Sequence, residues 1–527
     1  MNLKRLAPLF AAAGLLATTL PALSATQASA AEVEEYAPGK PSWQRCSPDQ
    51  PAAFECATIK VPLDYRHPRG AMLAIALSRM KSENPAKRHG ALLLNPGGPG
   101  ASGLNRPLVM NRLMPGEVRE QYDLIGFAPR GVGPSSPITC GMTPDEENEE
   151  RPYKEETFQK DVAWARTVAD KCREKSGPVL PFITTRNTAR DMDAIRVALG
   201  EKKISYVGYS YGTYMGAVYT QMFPKRTDRF VLDSAVDPGR VWRGMTQVWA
   251  TEAEPAFKRW TQWTAGRAAE YQLGDTPEAV AKTFWDIVAR ADRTPIVMGS
   301  QTLTGDDVRT ARNLFFTPDQ AAYIVRAMKR AADGTPTTLS APEAELLKPA
   351  AEPAPQTPAE PSDNAMAVLW AVTCGDTDAW PRDPGQYARE AAQDKAKYPL
   401  YGDFASNIRP CAFWQPPAEP ATPMNTKANV LTVQNEWDPQ TPLVSGLGLH
   451  KALRGSRMVL AQGGEGHGVY LSYGGSCANE PVNAYLATGR LPEKDVTCRA
   501  TPGGNEHRAE LVAPSPQGFP ALTPGKP

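Results

Sequence analysis

The sequence predicts an α/β fold in which a mostly parallel β-sheet is covered by helices and is divided by one helical insertion. Two observations lead to this prediction. Short β-branched or aliphatic runs alternate with longer helical patterns, as in parallel sheets with crossover helices. From about residue 241 to residue 371 the strand-like runs stop, and helical stretches rich in Trp and Phe replace them. The predicted strands are residues 73–78, 91–94, 122–127, 204–209, 229–232, 430–433 and 458–461.

The insertion divides one α/β domain and does not separate two, because the strand pattern resumes after it. We expect residues 31–240 and 372–498 to form the two parts of this domain. The insertion, residues 241–371, is expected to be a lid over the carboxyl edge of the sheet, where open α/β sheets bind ligands. Residues 334–362, dense in Pro, Ala, Thr and Glu, are predicted to be a mobile connector, and residues 499–527 a disordered tail.

Composition and charge exclude several classes of protein. The chain of 527 residues is 41% apolar and 22% charged, which is ordinary for a globular protein with a large core. Lys and Arg number 58 and Asp and Glu 57, so the formal charge is +1. So small a net charge does not indicate the excess of positive charge that binding to a nucleic acid or an acidic lipid surface requires. We therefore expect no nucleic-acid partner.

The first thirty residues have the pattern of a secretory signal peptide. Two basic residues at positions 4 and 5 precede an apolar stretch at 6–20, and Ala-Ser-Ala at 28–30 matches the small-residue cleavage pattern. A membrane anchor would need about 20 apolar residues in a row, and the sequence has no such run. The expectation is a cleaved signal at residues 1–30, an extracellular protein and no membrane anchor.

The cysteine count also indicates an oxidising compartment. Eight cysteines follow the signal segment, and an even number in an exported chain suggests disulfides. Metal sites would require closely spaced pairs, which are absent from the sequence, so no metal is expected. Pairing of neighbours along the chain is the simplest of the 105 possible connectivities. The cysteines are Cys46, Cys56, Cys140, Cys172, Cys374, Cys411, Cys477 and Cys498.

The strongest catalytic signal is a G-x-S-x-G motif at residues 208–212. It follows a predicted strand and precedes a helical pattern, as in the nucleophile elbow of the α/β-hydrolase fold. Glycines flank the serine because such a sharp turn brings backbones too close for side chains. The motif predicts that Ser210 is a nucleophile, and the alternative is a glycine-rich packing turn.

A serine hydroxyl needs a base to remove its proton, and His467 is the best candidate. It lies in a glycine-rich loop just past the last predicted strand, where the base of an α/β-hydrolase is found. The other histidines are less suited, since they precede the central strands, lie in a helical pattern or fall in the tail: His67, His89, His450 and His507.

The acid that orients the histidine should follow a strand between the serine and the histidine. Asp438 does so and precedes a proline that favours an extended loop. Two rivals remain, namely Glu436, which could instead touch substrate, and Asp233, which could cap backbone amides at the end of its strand.

Backbone amides should stabilise the charge that develops on the carbonyl oxygen. One amide is expected from Tyr211, the residue after the nucleophile. The second is expected from Gly98, with Gly97 as a substitute, in the turn Asn-Pro-Gly-Gly-Pro-Gly at residues 95–100. A phosphate-binding loop is the alternative, but this turn lacks the Lys-Ser/Thr pair that such a loop needs.

Five motifs in this order resemble those of the secreted tripeptidyl aminopeptidases of actinomycetes, which are related to proline iminopeptidases. The resemblance extends from about residue 43 to residue 498 and implies Ser210, Asp438 and His467 as nucleophile, acid and base. It also implies an oxyanion hole at the Gly-Gly turn and Tyr211, a helical cap and the removal of tripeptides from a free N-terminus. The motifs lie at residues 95–100, 129–133, 208–212, 438–442 and 466–468.

Two features depart from the resemblance: Ala128, and the Pro-rich stretch after residue 334, which belongs to the predicted lid. The substrate class also has an alternative. Ala128 stands before Pro-Arg-Gly where an Asp is expected, which puts a role of that loop in doubt. A carboxylesterase with the same three residues is the alternative enzyme. A catalytically silent binding protein is disfavoured because all three positions hold competent residues.

An exopeptidase needs a carboxylate to receive the cationic amine of its substrate. The acids that could supply it are Glu252, Glu254, Asp376 and Glu436. The expected substrates are the N-termini of peptides or proteins, no cofactor is expected, and the chain is expected to act as a monomer.

Overall fold

The structure is a computed structural model that describes residues 36–298, 301–335, 360–472 and 475–500. The predicted signal peptide, residues 336–359 of the predicted connector and the predicted tail beyond residue 500 lie outside the described residues.

A ten-stranded sheet runs through the described residues, in the order β1-β2-β3-β5-β4-β6-β7-β10-β11-β12. The strands from β1 to β3 and the pair β3–β5 are antiparallel, and every later pair in this order is parallel. The strands are β1 (Gln44–Arg45), β2 (Phe54–Pro62), β3 (Met72–Met80), β4 (Gly90–Asn95), β5 (Tyr122–Phe127), β6 (Ile204–Tyr209), β7 (Thr227–Asp233), β8 (Ile296–Met298), β9 (Gln301–Leu303), β10 (Val430–Trp437), β11 (Arg457–Glu465) and β12 (Val496–Arg499).

The predicted α/β class is confirmed, and all seven predicted strands are present. Strands β1, β2 and β12 were not predicted. They lie at the two edges of the sheet, and β2 shows a partial alternation of buried and less buried residues. The prediction that residues 241–371 contain no strand is wrong, because β8 and β9 form an antiparallel pair there. Three residues per strand are too few to produce a visible period.

Helices cover both faces of this sheet, so all six residues of β4 and of β6 are buried. Their ends follow ordinary capping chemistry, as when Thr184 accepts a hydrogen bond from the Asn187 amide and Gly200 ends the same helix in the left-handed conformation. The helices are α1 (Arg106–Leu113), α2 (Gly116–Arg119), α3 (Pro144–Glu147), α4 (Phe158–Ser176), α5 (Thr185–Leu199), α6 (Tyr211–Met222), α7 (Arg243–Ala265), α8 (Ala268–Tyr271), α9 (Pro277–Arg293), α10 (Gly305–Thr310), α11 (Pro318–Ala332), α12 (Asn364–Gly375), α13 (Pro384–Lys397), α14 (Gly402–Ala405), α15 (Leu443–Ala452) and α16 (Asn479–Thr488).

The segment between β7 and β10 has an apolar core of its own, built around Trp260. The Trp260 and Phe315 rings lie 4.9 Å apart between centroids, and Phe284 lies 5.3 Å from Phe315. Helix α7 joins this cluster to the core of the sheet, because Met245 near its start packs in the sheet's core. Pro255 lies inside the same helix, between the two halves.

The predicted boundary between residues 371 and 372 falls inside helix α12. Val368 and Trp370 of that helix pack in the core of the sheet and not in the cluster around Trp260. The helix therefore belongs to the wall of the sheet domain, although it follows the predicted connector in sequence. Among the described residues, no helix is both long and apolar enough to cross a membrane.

The eight cysteines form four disulfides within the described residues, each between neighbours along the chain. This is the simplest pairing expected from the sequence. The bond between Cys374 and Cys411 joins the end of α12 to the short helical turn Pro410–Phe413. The pairs are Cys46–Cys56, Cys140–Cys172, Cys374–Cys411 and Cys477–Cys498.

A buried ion pair ties the loop after β5 to helix α5. Arg130 contacts both carboxylate oxygens of Asp191, at 2.7 Å through Nε and 2.6 Å through Nη2. Its remaining N–H groups donate to the carbonyl oxygens of Pro62, Leu63 and Phe182, so all five donors are used. Tyr65 donates a further hydrogen bond to Asp191 at 2.8 Å. The Pro-Arg-Gly motif therefore has a structural role here, in spite of Ala128.

Replacing this arginine should destabilise the fold strongly. Arg130→Ala leaves the Asp191 carboxylate buried without its counter-ion, and we expect a loss of about 3–5 kcal/mol in the free energy of unfolding. Arg389→Ala is the matched control, because the Arg389 side chain is 66% exposed beside Asp383, and its loss should be below about 0.5 kcal/mol. Chemical denaturation of both variants measures the difference, and equal losses would contradict the assigned role.

Candidate active site

Ser210 lies in a sharp turn between strand β6 and helix α6. Its backbone has φ 57° and ψ −125°, a conformation that L-residues seldom adopt and that persists only where the surroundings enforce it. The flanking glycines are required by contact, because a Cβ at Gly208 would lie 2.6 Å from the Gly212 carbonyl oxygen. The turn therefore has the geometry of a nucleophile elbow.

The structure brings His467 and Asp438 into contact. The Nδ1 atom of His467 lies 2.9 and 3.0 Å from the two carboxylate oxygens of Asp438. Asp438 directly follows β10, and His467 follows β11 by two residues. Both strands end at the same edge of the sheet as β6, because these strands are parallel. Ser210 and His467 line the same cavity.

The Asp438 carboxylate is fully buried and held by several donors in addition to the imidazole. The amides of Gln440 and Thr441 donate to Oδ1 at 2.8 and 2.9 Å, and the Thr441 hydroxyl donates to Oδ2 at 2.9 Å. A carboxylate with these partners stays oriented toward Nδ1, which leaves Nε2 as the other ring nitrogen for a reacting group.

Two side chains, Asn435 and Asp233, hold the loop that carries His467. Asn435 was not among the predicted site residues, whereas Asp233 was expected to cap backbone amides. The Asn435 amide donates to the carbonyl oxygens of Glu465, Gly466 and Gly468 at 3.3, 2.9 and 3.2 Å. Asp233 accepts from the backbone amides at positions 469 and 470, the latter at 2.6 Å. Both side chains project from neighbouring parallel strands, so the sheet itself holds the loop.

The two rival acids have different partners. Asp233 caps amides, as its position at a strand end suggested, and burial raises the pKa of its carboxyl to about 7. Glu436 accepts a hydrogen bond from the Gly463 amide at 2.7 Å. Asp438 contacts the His467 ring directly, at the distances given above.

The predicted oxyanion turn lies directly against the serine. A Cβ on Gly97 would be 2.8 Å from the Ser210 Cβ, so only glycine permits this approach. The Gly97 amide already donates to Asn95 Oδ1 at 2.9 Å, whereas the described residues offer no acceptor to the Gly98 amide. Tyr211 is the first residue of α6, so its amide has no partner within the helix. Gly98 therefore suits the second donor better than Gly97.

These groups surround a cavity of about 410 Å³. Its walls are mostly apolar and come from the start of α7, from α12 and from the loops at the carboxyl edge of the sheet. Its lining residues include Gly98, Ser210, Tyr211, Trp242, Met245, Trp249, Leu369, Trp370, Trp380, Thr441 and His467. Two aromatic residues at the start of the insertion, Trp242 and Trp249, form part of this wall.

Asp376 supports the wall from behind. It accepts hydrogen bonds from the amide and hydroxyl of Thr185 at 2.8 and 2.6 Å and from Trp242 Nε1 at 3.2 Å. The Thr185 hydroxyl lies 2.9 Å from the Tyr211 hydroxyl, so one network connects the wall to the residue after the serine. Burial raises the pKa of Asp376 to about 6.

None of the four acids expected to receive a substrate amine lines the cavity in the described residues. Asp376 and Glu436 bond to the groups named above, Glu254 accepts from the Leu400 amide at 3.0 Å, and Glu252 is half-buried in α7. The acid that lines the cavity is Glu149, beside Arg409. The sequence signal for it was weak, because Glu149 belongs to an acidic run that reads as a solvated surface.

In the described parts of the chain, no group of three or more His, Cys, Asp and Glu side chains is placed to hold a metal ion.

The pKa of Asp233 predicts a pH-dependent stability. Its folded-state pKa of about 7 lies above the value of about 3.9 for an unfolded aspartate, so between these limits the folded chain holds a proton that the unfolded chain releases. The contribution of this bound proton to the free energy of unfolding is complete below about pH 4 and is lost as the pH rises to 7. We expect wild type to lose, relative to Asp233→Asn, on the order of 4 kcal/mol of unfolding free energy over this range.

Denaturation curves for both proteins at several pH values measure this difference. Asp170→Asn, at an exposed aspartate on α4, is the matched control. Parallel pH profiles for wild type and Asp233→Asn would contradict the prediction.

The chain is similar to known hydrolases along most of its length. The protein-family model described as "alpha/beta hydrolase fold" matches residues 90–285, and the family model described as "TAP-like protein" matches residues 398–498. The tripeptidyl aminopeptidase of Streptomyces lividans is 36% identical over 482 residues, which cover 87% of each chain.

Two mycobacterial relatives are more distant. Serine protease Hip1 of Mycobacterium tuberculosis is 30% identical over 472 residues, covering 85% of this chain and 88% of that protein. Carboxylesterase B of the same organism is 28% identical over 517 residues, covering 92% and 96%. From the identity to the Streptomyces enzyme over most of both chains, this chain belongs to the tripeptidyl aminopeptidase family and is a serine hydrolase of the α/β-hydrolase fold.

Proposed function

We propose that this protein is a secreted serine exopeptidase that releases tripeptides from the free N-terminus of peptides or proteins. One observation carries the proposal: Ser210, His467 and the Gly98 turn line a single cavity, and Asp438 lies against His467. The similarity to tripeptidyl aminopeptidases supports the choice of a peptide substrate.

The first half of the reaction forms an acyl-enzyme. Ser210 Oγ attacks the carbonyl carbon of the third residue of the substrate, and Nε2 of His467 accepts the hydroxyl proton. Asp438 stabilises the resulting imidazolium through Nδ1. The carbonyl oxygen becomes negatively charged and accepts hydrogen bonds from the amides of Tyr211 and Gly98, the first of which also lies at the positive end of helix α6. The imidazolium then donates its proton to the departing amine, the peptide bond breaks and the acyl-enzyme is complete.

The second half of the reaction releases the tripeptide. Water then attacks the ester on Ser210, with His467 accepting one of its protons and returning it to the serine. All bonds made and broken in this scheme belong to the chain, the substrate and water, so no cofactor is required.

The size and lining of the cavity fit a short acyl group. A volume of about 410 Å³ lies near the lower end of the range of about 300–1,000 Å³ for small-molecule sites. Trp242, Trp249 and Trp370 offer apolar surface to a few side chains. A bounded cavity favours the removal of a short N-terminal piece over cleavage in the middle of a chain.

Secretion is supported by the cysteines as well as by the N-terminal sequence. Four disulfides join the cysteines of the described residues, and such bonds persist in oxidising compartments.

A carboxylesterase is the second candidate. The likeness to a carboxylesterase favours it, since the same three residues can cleave an ester without recognising an amine. The two candidates differ in whether the charge on the substrate matters.

Three chromogenic substrates separate the candidates. A tripeptide p-nitroanilide with a free amine should be cleaved to the intact tripeptide, whereas its N-acetylated form should be cleaved at least about 100-fold more slowly, because acetylation removes the charge that the site recognises. Mass spectrometry of the products identifies the tripeptide. Cleavage of a nitrophenyl butyrate ester without cleavage of the tripeptide anilide would favour the esterase.

Ser210→Ala is the control for this assay and should lower kcat by on the order of 10⁴–10⁶. Ser82→Ala changes a serine that does not line the cavity in the described residues and should retain activity.

The proposal also predicts how the N-terminus is processed. Expressed with its first thirty residues in an actinomycete host, the protein should accumulate in the medium and begin at or after residue 31, because a signal peptidase cleaves after Ala-Ser-Ala. N-terminal sequencing of the secreted protein measures this. A cell-bound product that retains residues 1–30 would contradict it.

A further inference from the structure

The cavity beside Ser210 presents one acidic side chain, Glu149, among the described residues that line it. The Glu149 side chain is 29% exposed, and the Arg409 guanidinium beside it is 4% exposed. The carboxylate is therefore the more accessible half of the pair. The rest of the wall is mostly apolar, so this carboxylate is a localised negative charge in a medium of low polarity.

Glu149 is held in place by Arg409 and by contacts between the two segments that carry these residues. Arg409 Nη1 donates to Glu149 Oε2 at 2.5 Å. The segment after Glu149 is fixed to the segment before Arg409, because the Asn407 amide donates to the Arg151 carbonyl at 2.9 Å and the Tyr153 amide to the Asp403 carbonyl at 3.2 Å. A carboxylate fixed in this way loses little freedom when a second cation binds.

Other charged groups lie behind this pair. Glu150 is half-buried and accepts a hydrogen bond from the Tyr401 hydroxyl, and desolvation together with the charge of Glu149 raises its pKa. Arg312 is buried over the Tyr401 ring and donates to the Pro439 carbonyl at 3.0 Å. Two acids and two arginines thus balance formally. Glu149 and Arg409 both line the cavity, and Glu149 is the more exposed of the two.

We propose that Glu149 binds the α-ammonium group of the peptide substrate and so fixes where the N-terminus of the substrate lies in the cavity. This inference rests on the proposed exopeptidase function. One carboxylate oxygen bonds to Arg409, and the other is left to accept from the ammonium, since a carboxylate has about four acceptor positions. Arg409 keeps the carboxylate oriented and is a positioning residue.

This arrangement accounts for an exopeptidase in physical terms. A free amine with a pKa of about 7.7–8.0 is cationic at neutral pH, and a carboxylate in an apolar wall attracts it more strongly than one in water. The distance from Glu149 to Ser210 then sets how many residues separate the amine from the cleaved bond. An N-acetylated or internal peptide has no cation to place against Glu149.

The test compares Glu149→Gln with wild type in the full secreted protein. On the free-amine tripeptide p-nitroanilide we expect kcat/KM to fall on the order of 10- to 100-fold, mostly through KM, because a ground-state contact is lost. Activity on the N-acetylated anilide and on nitrophenyl butyrate should stay unchanged. Glu252→Gln is the matched control, since Glu252 is an acid of the insertion that lies outside the lining of the cavity, and it should behave as wild type.

A pH profile separates binding from a structural effect. In wild type kcat/KM for the free-amine substrate should fall above about pH 8, as the amine loses its charge, and in Glu149→Gln this limb should be weaker.

The outcomes are distinguishable. Equal losses on all three substrates would overturn the inference, since the residue would then be structural. Wild-type preference for the free amine with an unchanged Glu149→Gln would overturn it while leaving the exopeptidase intact. A wild type that cleaves acetylated and free substrates equally would overturn both.

Discussion

The site depends on the register of four parallel strands. Tyr209 pairs with Asp233 across β6 and β7, Asp233 pairs with Val433 across β7 and β10, and β10 pairs with β11 up to Glu465. This alignment ends β6 and β7 level with each other, and β10 and β11 extend beyond them at the same edge of the sheet. A serine, two acids and a histidine that are far apart in sequence therefore emerge side by side. A slip of one residue in any of these pairs would turn the following side chain to the other face of the sheet.

Three buried aspartates near this edge have different tasks because their partners differ. Asp438 contacts the imidazole, Asp233 binds amides of the loop that carries it, and Asp376 binds the indole of a wall residue. Burial raises the pKa of Asp233 and of Asp376. The same residue type therefore orients a ring, a loop and a wall, and only the surrounding donors distinguish these roles.

The sequence predicted what depends on local chemistry. The G-x-S-x-G turn, the glycine-rich loop of His467 and Asp438 before a proline are short patterns whose backbone requirements can be recognised without a fold. Asn435 was not predicted as a loop anchor, and for Asp233 amide capping was predicted but not the loop it holds, because the bonded groups lie about 30 to 240 positions away. Glu149 was not predicted for the same reason, because only its contact with the distant Arg409 distinguishes it from the acidic residues beside it in sequence. The edge strands β1 and β12 were not predicted because two and four residues are too few to show a periodic pattern. Strand β2 was not predicted because its alternation is partly irregular.

Helix α7 has a mechanical consequence for the cavity. Its first half, with Met245, is anchored in the core of the sheet, and its second half, with Trp260, is anchored in the separate aromatic cluster. A proline has no backbone N–H and cannot donate a helical hydrogen bond. Helix α7 is therefore weakest at Pro255, between the two anchored halves. A tilt of the outer half would therefore bend the helix first at Pro255, and the half that lines the cavity is held by the core of the sheet.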